Sequence, residues 1–240
     1  CGILSRRMAI RRFICDITMP GEWLMIESIL LTAARIFTFD GQNPMTNASG
    51  FFFARDQRLF LVTSRHVIFD EPSKHFPNRI EIEMHINPDN VAESTGFSMP
   101  LYRNGKAVWR QGTDRAGEID VAVIEINRWA LPKRALYRAF TPDHLLGPQG
   151  LVEVGTSLLV VGFPLGFHDT LHHMPVVRQA IVASSFGLRF QGEGYFLTDA
   201  RTHRGSSGAP VVMRIMHPTP KQSVLPWILL GVHSSRLDVG

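Results

Sequence analysis

Ile80-Glu81-Ile82-Glu83-Met84-His85-Ile86 carries an apolar residue at every second position. An extended chain collects such residues on one face, so the segment reads as a half-buried strand. Similar short runs occur at 35–39, 49–54, 59–63, 97–102, 108–109 and 119–126. A second set follows at 157–163, 176–183, 194–198, 209–215 and 227–232. Turn signals such as Asp40-Gly41 and Asn43-Pro44 separate the strands. About six strands on each side of the middle predict an all-β chain built as two six-stranded antiparallel barrels.

The Pro-, Arg- and Gly-rich stretch 128–150 reads as the connector between a first barrel over 25–127 and a second over 151–240. Residues 1–24 read as an extension outside the fold. Arg6, Arg7, Arg11 and Arg12 interrupt their apolar residues, and Asp16 and Glu22 break any signal-peptide core. No stretch reaches the uncharged apolar length of a membrane span. A formal charge of +4, scattered along the chain, does not suggest a nucleic-acid partner. Both cysteines, Cys1 and Cys15, lie in the N-terminal segment, so the body of the chain has no disulfide framework. That usage fits a reducing compartment, and a cytoplasmic location is the expectation.

The chemistry concentrates in Arg204-Gly205-Ser206-Ser207-Gly208-Ala209-Pro210, a tight turn feeding a β-branched strand. Glycine at 205 lets the backbone turn its N–H away from a ladder. Ser207 then stands at the tip, with the N–H groups of Gly205 and Ser207 free to converge on an oxyanion. A serine nucleophile also needs a base and an acid that orients it. His66 ends the strand of Leu59–Thr63, and Asp120 stands at the mouth of the Ile119–Ile126 strand, with Asp114 as a fallback. The order His, Asp, Ser separates this arrangement from subtilisins and α/β-hydrolases.

Thr63-Ser64-Arg65-His66-Val67, Asp120-Val121-Ala122-Val123 and Gly205-Ser206-Ser207-Gly208-Ala209-Pro210 resemble the three signature blocks of trypsin-like serine peptidases. The resemblance spans roughly residues 29–236. It implies two Greek-key barrels with the site in the cleft between them. It also implies His66 as general base and acid, Asp120 as its orienting partner and Ser207 as nucleophile, with Gly205 and Ser207 as oxyanion donors. Ser206 replaces the aspartate of zymogen-activated trypsins. Thr198-Asp199-Ala200 and Val161-Gly162-Phe163-Pro164 are similar to bacterial HtrA peptidases. Only 33 residues follow Ser207, which implies a second barrel reduced or clipped at its C-terminal end.

Arg201, six positions before Ser207, excludes the aspartate on which trypsin specificity depends. Thr202 and His233, beside Ser234, match positions at which glutamyl endopeptidases contact a substrate glutamate. A hydroxyl and an imidazole can each donate to a carboxylate, and Arg201, Arg204 and Arg236 add positive potential. The expectation is a preference for an acidic residue before the scissile bond, against a small or aliphatic one. His168, Asp169, His172 and His173 supply nitrogen and oxygen donors, but no cysteine or firm fourth ligand accompanies them. They read as solvated loop residues, and neither metal nor cofactor is expected. The partner is a peptide or protein substrate. The alternative is a catalytically silent protein of the same fold that binds peptide in the cleft by strand addition.

Overall fold

The computed structural model describes residues 26–148, 150–165 and 167–234. The expected N-terminal extension lies outside the described residues, as does Arg236.

The first half consists of β1 (Ala33–Asp40), β2 (Asn43–Arg55), β3 (Arg58–Thr63), the one-turn helix α1 (Arg65–Ile68), β4 (Arg79–His85) and β5 (Ser94–Pro100). The short pair β6 (Tyr102–Arg103) and β7 (Lys106–Ala107) follows, then β8 (Trp109–Asp114) and β9 (Gly117–Ile126). All but β6 and β7 join one antiparallel sheet in the order β5-β4-β1-β2-β3-β9-β8. The alternation in β4 does what the sequence pattern requires. Ile80, Ile82 and Met84 are buried, while Glu81 and Glu83 point to the other face. They pack with Ile36, Leu59, Leu61, Ile68, Leu101 and Ile124 in the core of this half.

The second half contains β10 (Ser157–Gly162), β11 (Val176–Ile181), β12 (Pro210–Arg214) and β13 (Trp227–Val232), in the antiparallel order β11-β10-β12-β13. The all-β, two-part architecture is as expected, but the strand counts differ. Among the described residues there are seven strands in the first sheet and four in the second, rather than six and six. The expected strand at 194–198 is reduced to a bridge between Val182 and Thr198. Gly187 and Gly192 precede that stretch and Gly194 opens it, and Gln191 sits at φ +54°, so turns replace the ladder. In the other direction, β8 extends well beyond 108–109. As an edge strand of mostly polar residues it shows no apolar alternation in the sequence.

A shared apolar cluster holds the halves together. Phe51 and Val62 from the first sheet and Val161, Val212 and Leu229 from the second meet around Phe140, with Ile29 and Leu225 closing the group. Phe140 is fully buried, edge-on to Phe51 at 5.7 Å, and its backbone exchanges hydrogen bonds with Phe52 and Ala54. Leu136 and Phe140 donate their N–H groups to the His85 and Phe52 carbonyls, which lays this part of 128–150 along the first sheet. A packed junction of this kind resists shear, which lets a site use groups from both sides.

Candidate active site

His66 enters through α1, whose preceding residue Ser64 has an extended backbone at the end of β3. Asp120 lies on β9, and β3 pairs with β9 so that Thr63 faces Ala122. Sheet register therefore brings the two side chains together. One Asp120 oxygen accepts the His66 backbone N–H at 3.0 Å, and the other lies 2.8 Å from His66 Nδ1. The second oxygen also accepts the Ser234 hydroxyl. Burial acts to raise the Asp120 pKa, but the hydrogen bonds and charge of His66 and the hydroxyl of Ser234 outweigh it. The carboxyl stays below its ordinary value. An ionised carboxylate on Nδ1 keeps the proton there and leaves Nε2 free to act as base.

Asp114 is committed elsewhere. Its carboxylate pairs with Arg189, which ties the second half to the β8–β9 hairpin, and Ile119 packs against Gly194 at the same seam. A cleft of about 440 Å³ opens beside His66 and Asp120, lined also by Arg65, Asp70, Gln111, Glu118, Ile119 and Ser234.

Each peptide unit from 204 to 208 is pinned. The Arg204 carbonyl accepts the Leu165 N–H at 2.7 Å, and the Ser206 carbonyl accepts the Ala209 N–H at 3.0 Å. Carbonyl and N–H point in opposite directions across a trans peptide. These two bonds therefore turn the Gly205 and Ser207 N–H groups the other way, and neither donates to an acceptor among the described residues. The turn thus leaves two N–H groups without an acceptor among the described residues, that of Gly205 and that of Ser207 itself, an arrangement able to bind an oxyanion. The intervening units are held through Ser206 N–H to the His203 carbonyl (3.1 Å) and Gly208 N–H to the His233 carbonyl (2.7 Å). The Ser64 hydroxyl also reaches the His233 carbonyl, at 3.1 Å. That oxygen thus joins the segment carrying His66 to the segment carrying Ser207.

Ser207 is partly exposed at the tip of the turn, and its hydroxyl makes no hydrogen bond among the described residues. Contacts between nucleophile and base commonly tighten only when substrate is present. Gly208 explains the shape of the turn. At φ +87°, a Cβ here would lie 2.0 Å from the Ser49 carbonyl oxygen and 2.2 Å from Thr63 Oγ1.

Thr202 is buried just before the turn. The His233 imidazole is pushed down to about 4 by burial and by the charge of neighbouring His66. Ser234, expected with the specificity residues, spends its hydroxyl on Asp120. Sequence reasoning did not anticipate this contact, which spans 114 positions. His172 pairs with Asp169 at 2.7 Å and His173 with Glu83 at 2.8 Å. Among the described residues, no group of three or more His, Cys, Asp or Glu side chains is arranged to hold a metal ion. No helix among them is long and apolar enough to cross a membrane.

An all-β protein of two sheet-built halves, with a His–Asp pair on one and a pinned serine turn on the other, defines a class to which comparison adds a family. The trypsin-like peptidase domain matches residues 48–214, and the chain belongs to that family. Among solved structures it is similar to the serine endoprotease from Yersinia pestis, with a TM-score of 0.49 and 15% identity. The match covers 90% of this chain and 58% of that one, so the chain spans less than two thirds of that relative's length. No curated protein matches.

Proposed function

We propose that the protein is an endopeptidase that cleaves peptide bonds through an acyl-enzyme on Ser207. The observation that carries this reading is the doubly anchored His66–Asp120 pair, with backbone and ring of His66 on one carboxylate. In the proposed reaction Ser207 Oγ attacks the scissile carbonyl carbon and its proton passes to His66 Nε2. The carbonyl oxygen takes up the negative charge between the N–H groups of Gly205 and Ser207. The C–N bond then breaks, His66 gives its proton to the leaving amine, and Ser207 holds the acyl group as an ester. Water deprotonated by His66 attacks the ester carbonyl, and the C–O bond to Ser207 breaks as His66 returns that proton to Oγ, which releases the acid and restores the serine. Asp120 keeps the imidazole in one tautomer and offsets its positive charge without taking the proton.

Thr202 and His233 are proposed to favour an acidic residue before the cut. A neutral imidazole offers one N–H donor, and a carboxylate beside it would favour protonation and a second charge-assisted contact. Arg201 and Arg204 add to the attraction. A peptide library tests this part: enrichment of Glu or Asp at that position supports it, and indifference to charge refutes it. A fluorophosphonate probe separates the enzyme from a silent peptide-binding protein, because only an activated Ser207 is captured covalently.

A further inference from the structure

Ser49 belongs to the first sheet, 158 positions from Ser207, yet it is completely buried against the serine turn. Its hydroxyl donates to the Gly205 carbonyl at 2.7 Å and accepts the Phe163 N–H at 2.9 Å. Its own N–H donates to the Ser207 carbonyl at 2.8 Å, and its carbonyl accepts the Thr63 hydroxyl at 2.8 Å. Ser49 thus satisfies its own backbone and side chain while engaging both carbonyls that flank the 206–207 peptide.

Building only a stable junction does not require that placement. The N–H of the 206–207 peptide is one of the two free donors, and Ser49 fixes the peptide units on both sides of it. The other free donor, Gly205 N–H, is aimed by the Leu165-to-Arg204 bond, and Leu165 lies two residues beyond the Phe163 N–H that Ser49 Oγ accepts. One hydroxyl therefore touches the supports of both donors. We propose that Ser49 is a positioning residue that aims the Gly205 and Ser207 N–H groups at the developing oxyanion, acting through the Gly205 carbonyl and Phe163 N–H. The role rests on the acyl-enzyme reading above. The groups it orients contribute mainly in the transition state, because donors must meet the position the oxyanion will occupy.

Removing the hydroxyl leaves two buried polar groups without a partner and leaves the 205–206 peptide held only by the Ser206 N–H bond to the His203 carbonyl, so that it can tilt. Small misplacements of catalytic groups cost up to about a hundred-fold, and loss of a whole oxyanion donor costs about a hundred- to a thousand-fold. A tilt should therefore lower turnover about ten- to a hundred-fold. The test compares wild type, Ser49→Ala and Ser49→Cys for fluorophosphonate labelling rate, and for kcat and KM per titrated site. Hydrogen exchange over residues 203–209 is followed in parallel. Cysteine keeps the volume with weaker hydrogen bonding, which separates the lost bonds from the lost packing and serves if the alanine variant folds poorly.

The expected result is slower labelling and lower kcat in both variants, smaller for cysteine, with KM within about two-fold of wild type and faster exchange confined to the turn. Wild-type kcat per titrated site in the variants, or a loss carried by KM, would overturn the role. Wild type that resists the probe would refute the acyl-enzyme reading and this role together. Wild type and Ser49→Ala labelled at equal rates would refute this role alone.

Discussion

Substitution of Gly208 by alanine tests the geometry of the serine turn. The added Cβ would lie 2.0 Å from the Ser49 carbonyl oxygen, against a comfortable carbon–oxygen contact of about 3.3 Å. Neither side can yield easily. The Ser49 carbonyl is held by Thr63, the Ser49 N–H by the Ser207 carbonyl, and the Gly208 N–H by the His233 carbonyl. Relief of the clash must break some of these three bonds, each worth about 1–3 kcal/mol when its groups are left buried. The positive φ adds about 1–2 kcal/mol for a residue with a Cβ. With all three bonds lost the sum is about 4–11 kcal/mol, comparable with the whole stability of a typical domain at about 5–15 kcal/mol. Urea and thermal unfolding should therefore show a Tm at least about 10 °C lower, or no cooperative transition. Gly41→Ala is the matched control. Gly41 also has positive φ, at +60°, but nothing lies within 4 Å of its virtual Cβ, so only the backbone cost of about 1–2 kcal/mol applies. Equal stability losses in the two variants would refute the argument that the turn is wedged against Ser49.

Asp120→Asn keeps the size of the side chain but presents an amide to His66 Nδ1, favouring the tautomer whose Nε2 carries a proton and cannot accept one from Ser207. A fall in kcat of about 10⁴-fold with little change in Tm is expected from steady-state kinetics and calorimetry. His233 gives a pH signature. The unfolded chain takes up its proton near 6.5 and the folded protein near 4, so the unfolded state binds more protons between those values. Stability should fall by about 3 kcal/mol as pH drops through that window, and His233→Gln should flatten the profile of urea midpoints.

Short-range features were legible in the sequence. The alternation in β4 identified its buried face, and the blocks around His66, Asp120 and Ser207 each fit within a few residues. The structure brings His66 and Asp120 together through the β3–β9 pairing. The less legible features are tertiary. Ser49 meets Gly205 across 156 positions and Ser234 meets Asp120 across 114, and no local window contains both partners. Arg189 likewise shows its link to Asp114 only after the two halves have packed. The strand expected at 194–198 failed for a local reason. Its aromatic and β-branched residues suit a strand, but the glycines around it favour turns.

The most direct measurement is covalent labelling of purified protein with a fluorophosphonate, followed by peptide mapping, beside a Ser207→Ala variant shown to be folded. The account predicts one adduct per chain, on Ser207, formed by wild type and absent from the variant. A folded wild type that forms no adduct, or one that labels as well without the Ser207 hydroxyl, would contradict the claim that this turn carries the nucleophile.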